Sequence, residues 1–407
     1  MQVISVLKAI FAEKLTRVYK NIIIIKVFKQ KLGKGISVKV LILSCNTGQG
    51  HNAAGKALLE EFRTRGIPCD MQDALAFAGQ RASRVVSNTY INIAVKTPNI
   101  FGLMYKAGNS ISSNRRKSPV YYANKAYAAQ MADFIEQNGY DTVLCPHLFP
   151  AEALTYIRHI RPDFSARCYA VATDYACIPF WEETRMDRYF IPHRELAAEF
   201  ERKGIAAERL CPTGIPVSSR FAQKRQQSEA RAELGHSTQG KEYLVIGGSM
   251  GFGDVKTLAA GLADRISGQD RIIIMGGNNE RLKQELRAGF SHDARVQVLD
   301  FTDQVSLYMD ACDVLFTKPG GLTSTEAAAK RVAMIHTAPI PGCETINAEF
   351  FASRGMSVRC MTAEDAVESG IRLAEDPLRR EAMRLAQERE INAFAARDIV
   401  DEVLRTE

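Results

Sequence analysis

Between residues 312 and 347, CDVLFTKPGGLTSTEAAAKRVAMIHTAPIPGCETIN, the chain joins an apolar run, a Gly-Gly turn, a cluster of hydroxyls and several acids in one short unit. The spacing predicts a strand over 313–317, a turn at Pro319-Gly320-Gly321, and a helix opening at Leu322-Thr323-Ser324-Thr325 and running through Ala329. A helix start offers unpaired N–H groups and roughly half a positive charge, which suits a diphosphate. Glu326 is expected in the first turn, where a carboxylate either caps the helix or accepts hydrogen bonds from ribose hydroxyls.

A second constellation is Cys45-Asn46-Thr47-Gly48-Gln49-Gly50-His51-Asn52, after the apolar run 38–44. Glycines at 48 and 50 let the backbone come close to a substrate. His51 titrates near neutrality and can take a proton from an acceptor hydroxyl; the alternative is a helix-start residue that only hydrogen-bonds. The helix N-terminus is expected to lower its pKa and keep it neutral. Asp174, in Ala172-Thr173-Asp174-Tyr175, ends a predicted strand facing the same cleft, where it either orients His51 or caps a turn. His147 and His193 also follow predicted strands, and structural roles suit them at least as well. The chain has no Asp-x-Asp motif, so a departing diphosphate would depend on helix N-termini and backbone N–H groups; no metal and no cofactor are expected.

The elements that must position these residues alternate strand and helix from Val38 onward, the rhythm of α/β, doubly wound parallel sheets. Strands are expected at 38–44, 67–73, 141–145, 166–173, 188–191 and 210–215, then at 243–246, 271–275, 296–299 and 313–317. Two Rossmann-like halves result, each with a Gly-rich loop at a strand end. The expected organisation is a basic arm at 1–35, an N-terminal domain at 36–222 and a charged linker at 223–242. A C-terminal domain at 243–375 and a last helix at 376–407 that crosses back to the first half complete it. Within the first half, Arg115 and Arg116 lie in a polar, basic loop, and Phe180-Trp181 follows Pro179 in a loop where the Trp is either exposed at an interface or buried.

The arm holds eight basic side chains against one acid, Glu13, while the whole chain is +7, so the remainder is close to neutral. A general nucleic-acid surface is therefore not implied. Ile4, Leu7, Phe11, Leu15, Val18, Ile22 and Ile25 recur at helical spacing among those charges. Such a helix either lies in an anionic membrane interface, packs on the protein's own surface, or reflects a misassigned start; charges recur too often for it to span. Nine cysteines show no CxxC pair or metal-ligand spacing, which favours reduced thiols in a cytosol.

Five segments taken in order carry a resemblance: Gly48-Gln49-Gly50-His51, Gly247-Gly248-Ser249, Phe301-Thr302-Asp303, Gly320-Gly321-Leu322-Thr323 with Glu326, and Pro341-Gly342-Cys343-Glu344 with Asn347. Over about 38–400 the chain resembles the monogalactosyldiacylglycerol synthase and processive diacylglycerol glucosyltransferase family, which is related to the GlcNAc transferase of the lipid-linked peptidoglycan precursor. The resemblance implies a GT-B fold and an inverting transfer of glucose or galactose from UDP-glucose or UDP-galactose to the hydroxyl of 1,2-diacylglycerol. The protein would sit peripherally on the inner face of the cell membrane. It further implies that uracil lies against Phe301 and Thr302, ribose on Glu326, and diphosphate on Gly248, Ser249, Gly321, Leu322 and Thr323. The hexose would fall to Glu344 and Asn347, with His51 as base. The family usually has Gln where this chain has Cys343, so the choice of hexose stays open. A polyprenyl-diphosphate acceptor and a UDP-sugar epimerase of similar layout are the alternatives.

Overall fold

A computed structural model describes residues 38–46, 48–79, 98–112, 117–247 and 254–405. The 1–35 arm, Arg115, Arg116, Gly248 and Ser249 lie outside the described residues.

Strands β1 (Val40–Ser44), β2 (Cys69–Asp73), β3 (Thr142–Cys145), β4 (Arg167–Val171), β5 (Arg188–Phe190) and β6 (Leu210–Cys211) form one sheet in the order β2-β1-β3-β4-β5-β6. The second sheet contains β7 (Glu242–Ile246), β8 (Arg271–Met275), β9 (Val296–Leu299), β10 (Val314–Thr317), β11 (Met334–His336) and β12 (Val358–Arg359). Its order is β12-β11-β10-β7-β8-β9. Neighbouring strands pair in parallel throughout. A parallel sheet covered on both faces needs apolar side chains on both, and Val40, Leu41, Ile42 and Leu43 are fully buried in turn. The expected α/β class and the two Rossmann-like halves are what the structure shows.

Strand order reverses between β1 and β3 in the first sheet and between β7 and β10 in the second. Crevices open at such reversals, beyond the carboxyl ends of the strands. His51 follows β1, Pro146-His147 follows β3, and Lys318 to Gly321 follows β10, so topology alone delivers these loops to the two crevices.

Three expectations change. Strands β11 and β12 were not anticipated; they are three and two residues long, too short to carry a period. Residues 223–242 are not a bare linker: a helix at Gln227–Glu233 packs on the second half, with Arg231 Nη2 donating to Asp313 Oδ2 at 2.6 Å. The last helix is two, Pro377–Glu390 and Ala395–Arg405, because the extended Ile391 breaks the ladder and Asn392 turns its side chain to Thr213 O (2.8 Å) and Asp398 Oδ2 (2.8 Å). The second of these helices buries Ile399, Val400 and Val403 against Val38, Ile42, Leu58 and Phe62 of the first half. Arg65 ties it down through Asp401. Among the described residues no helix is long and apolar enough to cross a membrane.

Candidate active site

Helix α1 (Gln49–Thr64) brings His51 to the carboxyl edge of β1. The Gly-rich loop is held by a chain of side-chain bonds, Ser44 to Asn52 (2.7 Å), Asn52 to Asn46 (2.8 Å) and Asn46 to Asp73 (2.9 Å). His51 Nδ1 lies 2.9 Å from Pro146 O and 2.9 Å from Thr173 Oγ1. A carbonyl only accepts, so Nδ1 carries the proton and Nε2 keeps its lone pair. That is the tautomer a base requires. Burial depresses the His51 pKa, opposed by the charge of Asp174 and by the bond to Pro146. The direction matches the expectation, but the leading cause is burial where the helix dipole was expected.

His147 is a structural residue. It caps the helix Leu148–Ile160 by accepting from Phe149 N at 3.1 Å, and its ring meets that of His51 edge-on at 4.5 Å. Burial, then the neighbouring His51, hold it well below the usual histidine range. His193 likewise caps a short turn by accepting from Glu195 N at 3.3 Å. Trp181 is buried, so the exposed alternative falls away.

Asp174 makes no hydrogen bond to His51; Thr173 does the orienting. Asp174 Oδ1 instead accepts from Asn347 Nδ2 at 3.0 Å, and after burial its carboxylate is the largest influence holding the Cys343 thiol pKa high. Its carboxylate acts on His51 through its field.

On the donor side, helix α2 (Gly321–Ala329) starts directly after the Gly-Gly turn, with Gly320 as its N-cap. A Cβ on Gly321 would stand 2.0 Å from Thr173 O, so only glycine lets the two halves close here. Leu322 lies against Gly50 across the same junction, where a Cβ on Gly50 would meet Leu322 Cβ at 3.7 Å. Gly48 is the N-cap of α1. Two of the three hydroxyls are spent inward. Ser324 Oγ bonds the buried His336 Nε2 (2.9 Å), and Thr325 Oγ1 donates to Gly321 O (2.6 Å) while meeting Tyr175 OH (2.8 Å). Thr323 is half-buried and makes no side-chain bond to the described residues, which leaves it, with the unpaired N–H groups of the first turn, for an anion.

Glu326 sits in the second turn, not the first, because the helix begins at Gly321; it caps nothing. Its carboxyl makes no hydrogen bond to the described residues, and burial pushes its pKa up to about 8, eased by Arg220. Arg220 in turn donates to Asp303 O at 2.9 Å, which ties the Phe301 segment beside it. Phe301 is 84% exposed, an unused ring face, while Thr302 Oγ1 accepts from Gln304 N at 3.1 Å and shapes the turn.

Glu344 and Asn347, expected at the sugar, both have partners within the protein. Glu344 pairs with Lys318 Nζ and accepts from Ile340 N at 3.0 Å. Asn347 is fully buried, accepting from Tyr175 N (2.7 Å) and donating to Asp174 Oδ1 (3.0 Å) and Pro319 O (3.1 Å). In this closed arrangement both its N–H groups are used, so it ties the halves together. Pro146, Thr173, Tyr175 and Lys318 were missed. Only Lys318 carried a signal, a lone cation at the strand end before the Gly-Gly turn.

Comparison with known proteins bears on this geometry. Residues 51–217 match the monogalactosyldiacylglycerol (MGDG) synthase model and residues 243–403 the glycosyltransferase family 28 C-terminal domain. The chain is 27% identical over 353 residues to a processive diacylglycerol beta-glucosyltransferase of Bacillus pumilus, covering 85% of this chain and 89% of that one. A namesake from Bacillus cytotoxicus is 27% identical over 372 residues, covering 90% and 93%. By structure, Acinetobacter baumannii MurG aligns with a TM-score of 0.58 at 15% identity, over 90% of this chain and 99% of that one. The S. aureus MnaA–UDP structure aligns at 0.59 and 11% identity, over 90% and 96%. Two facing Rossmann-like halves with loops at both switch points, together with these matches, define a GT-B glycosyltransferase. Within that class the first half is of the MGDG synthase type and the second of the family 28 type.

Proposed function

We propose that this protein moves a hexose from UDP-glucose or UDP-galactose to the free hydroxyl of 1,2-diacylglycerol, with inversion. One observation carries the reading: Gly321, first residue of the anion-binding helix, packs on Thr173, whose hydroxyl bonds His51. Base and leaving-group cradle therefore meet at one residue.

In the proposed step His51 Nε2 takes the proton of the acceptor hydroxyl as that oxygen attacks C1 of the hexose. The bond from C1 to the diphosphate breaks on the opposite side. Its electron pair leaves with UDP, whose charge falls on the N–H groups of Gly321, Leu322 and Thr323 and, outside the described residues, on Gly248 and Ser249. Glu326 takes the ribose hydroxyls and Phe301 faces the uracil. No divalent ion is needed in this scheme, and a chelator should leave turnover unchanged. The acceptor reaches the cleft at the inner face of the cell membrane, with the 1–35 arm and the loop of Arg115 and Arg116 against anionic lipid.

Purified protein incubated with diacylglycerol vesicles and each UDP-hexose should yield glycosyldiacylglycerol by mass spectrometry. Free UDP-hexose converted to its epimer, or transfer only to a polyprenyl diphosphate, would overturn the reading.

A further inference from the structure

The helix Pro98–Ile111 of the first half lies across the cleft, and one of its faces explains how. Gly102, Tyr105, Gly108 and Ser112 recur at steps of three and four, so they share that face. A Cβ on Gly102 would come within 2.6 Å of Pro341 Cβ, in the donor-side loop. At the other end, a Cβ on Gly108 would meet Phe180 at 3.2 Å and Pro179 at 3.3 Å, and Phe180 N donates to Ser112 Oγ at 2.7 Å. Between these two contacts the helix bridges Pro341-Gly342-Cys343 of one half and Cys177 to Phe180 of the other. Tyr105 lies midway between them on the same face. The groups acting on its phenol agree with that placement: burial first, then Cys343, Asp174, Glu199 and Cys177.

The Tyr105 hydroxyl makes no hydrogen bond to the described residues, although the residue is partly buried. A half-buried hydroxyl with no protein partner is still reached by water, and a ligand hydroxyl can replace that water bond for bond. Asp174 lies beside the base and Cys343 begins the helix after the donor-side loop, so a group among all three stands where the hexose must lie between cradle and base. We propose that Tyr105 is a specificity-determining residue: its hydroxyl bonds a hydroxyl of the donor hexose, opposite Asp174 and the Cys343 thiol, and selects which hexose is held. This inference rests on the donor assignment made above.

The test uses the full chain and Tyr105→Phe, which keeps the ring and its packing. Calorimetric titration with UDP, UDP-glucose and UDP-galactose gives each hexose's contribution to binding apart from the nucleotide. Affinity for UDP and the melting temperature should not move, while binding of the preferred UDP-hexose weakens about tenfold, the size of one lost hydrogen bond, and the preference between the two hexoses shrinks. Unchanged affinity for all three ligands, or an equal loss for UDP alone, overturns the proposal. Transfer to diacylglycerol is assayed alongside. A wild type that discriminates hexoses in binding yet transfers none to diacylglycerol would refute the acceptor reading and leave Tyr105 standing. Normal transfer with identical hexose preference in Tyr105→Phe would refute Tyr105 alone.

Discussion

At His51 the decisive quantity is the charge of the ring. Burial lowers its pKa from the ordinary 6.5, and the nearby Asp174 partly restores it. Only the neutral ring accepts a proton, so activity should fall on the acid side along a limb lying below that ordinary value. Asp174→Asn removes a charge that favours the imidazolium, and the acid limb of kcat/KM should move to still lower pH; an upward shift would contradict the assignment. His51→Ala should bind UDP as before and lose turnover by about 10²–10⁴. Retention of more than about a tenth of the wild-type rate would mean that another group is the base. Glu326 predicts a slope of the same sign in a higher pH range. Its unliganded carboxyl is largely protonated below about 8, whereas ribose hydroxyls bond best to the carboxylate. UDP binding should then release a proton, so affinity rises with pH until about 8 and levels off above it. Glu326→Gln should flatten that dependence and weaken UDP about tenfold with little change in melting temperature.

At the level of elements, the sequence disclosed most where burial leaves a long trace. β1, β3, β7, β8 and β10 are covered on both faces and stand out as apolar runs, while β11 and β12 vanish because two or three residues hold no pattern. His51 was legible because Gly-x-Gly-His gives it a strand end and a helix start. Its partners were not, since Pro146 contributes a carbonyl that any residue could supply and Thr173 arrives from a strand 122 residues away. Asn347 is a related case: an amide that binds sugar and an amide that joins two domains have the same letter, and the sequence does not show that this one bonds Asp174, Tyr175 and Pro319. The start of α2 makes this testable. Alanine at 321 must displace Thr173 O, whereas alanine at 320 meets nothing within 4 Å. By denaturant titration Gly321→Ala should lose about 1–3 kcal/mol and Gly320→Ala much less. Equal effects would show that the junction does not depend on this contact.

Across the whole molecule, the two halves close through Asn347 on Asp174 and Tyr175, Gly321 on Thr173, and the terminal helix on α1. All of these are short-range contacts within the protein and give it no affinity for a lipid surface. Charge distribution is the expected source of such affinity. The chain's net +7 is matched by the 1–35 arm alone, so long-range attraction to an anionic membrane should reside in the arm while the remaining residues contribute little. Each basic side chain near an anionic leaflet is worth about 1 kcal/mol, and salt screens it with a Debye length of about 10 Å at 0.1 M. Apolar side chains at helical spacing in the arm add a term that salt does not remove. Deleting residues 1–35 should therefore abolish most binding to anionic vesicles in sedimentation assays, the lost part being the salt-sensitive part. UDP affinity should be unchanged, since the groups assigned to uracil, ribose and diphosphate all come from the second half. Transfer to diacylglycerol dispersed in detergent should also survive, because only delivery to a surface has been removed. If the truncated protein binds anionic vesicles at low salt as well as the full chain does, the membrane contact lies on the folded domains, and the loop containing Arg115 and Arg116 becomes the first place to mutate.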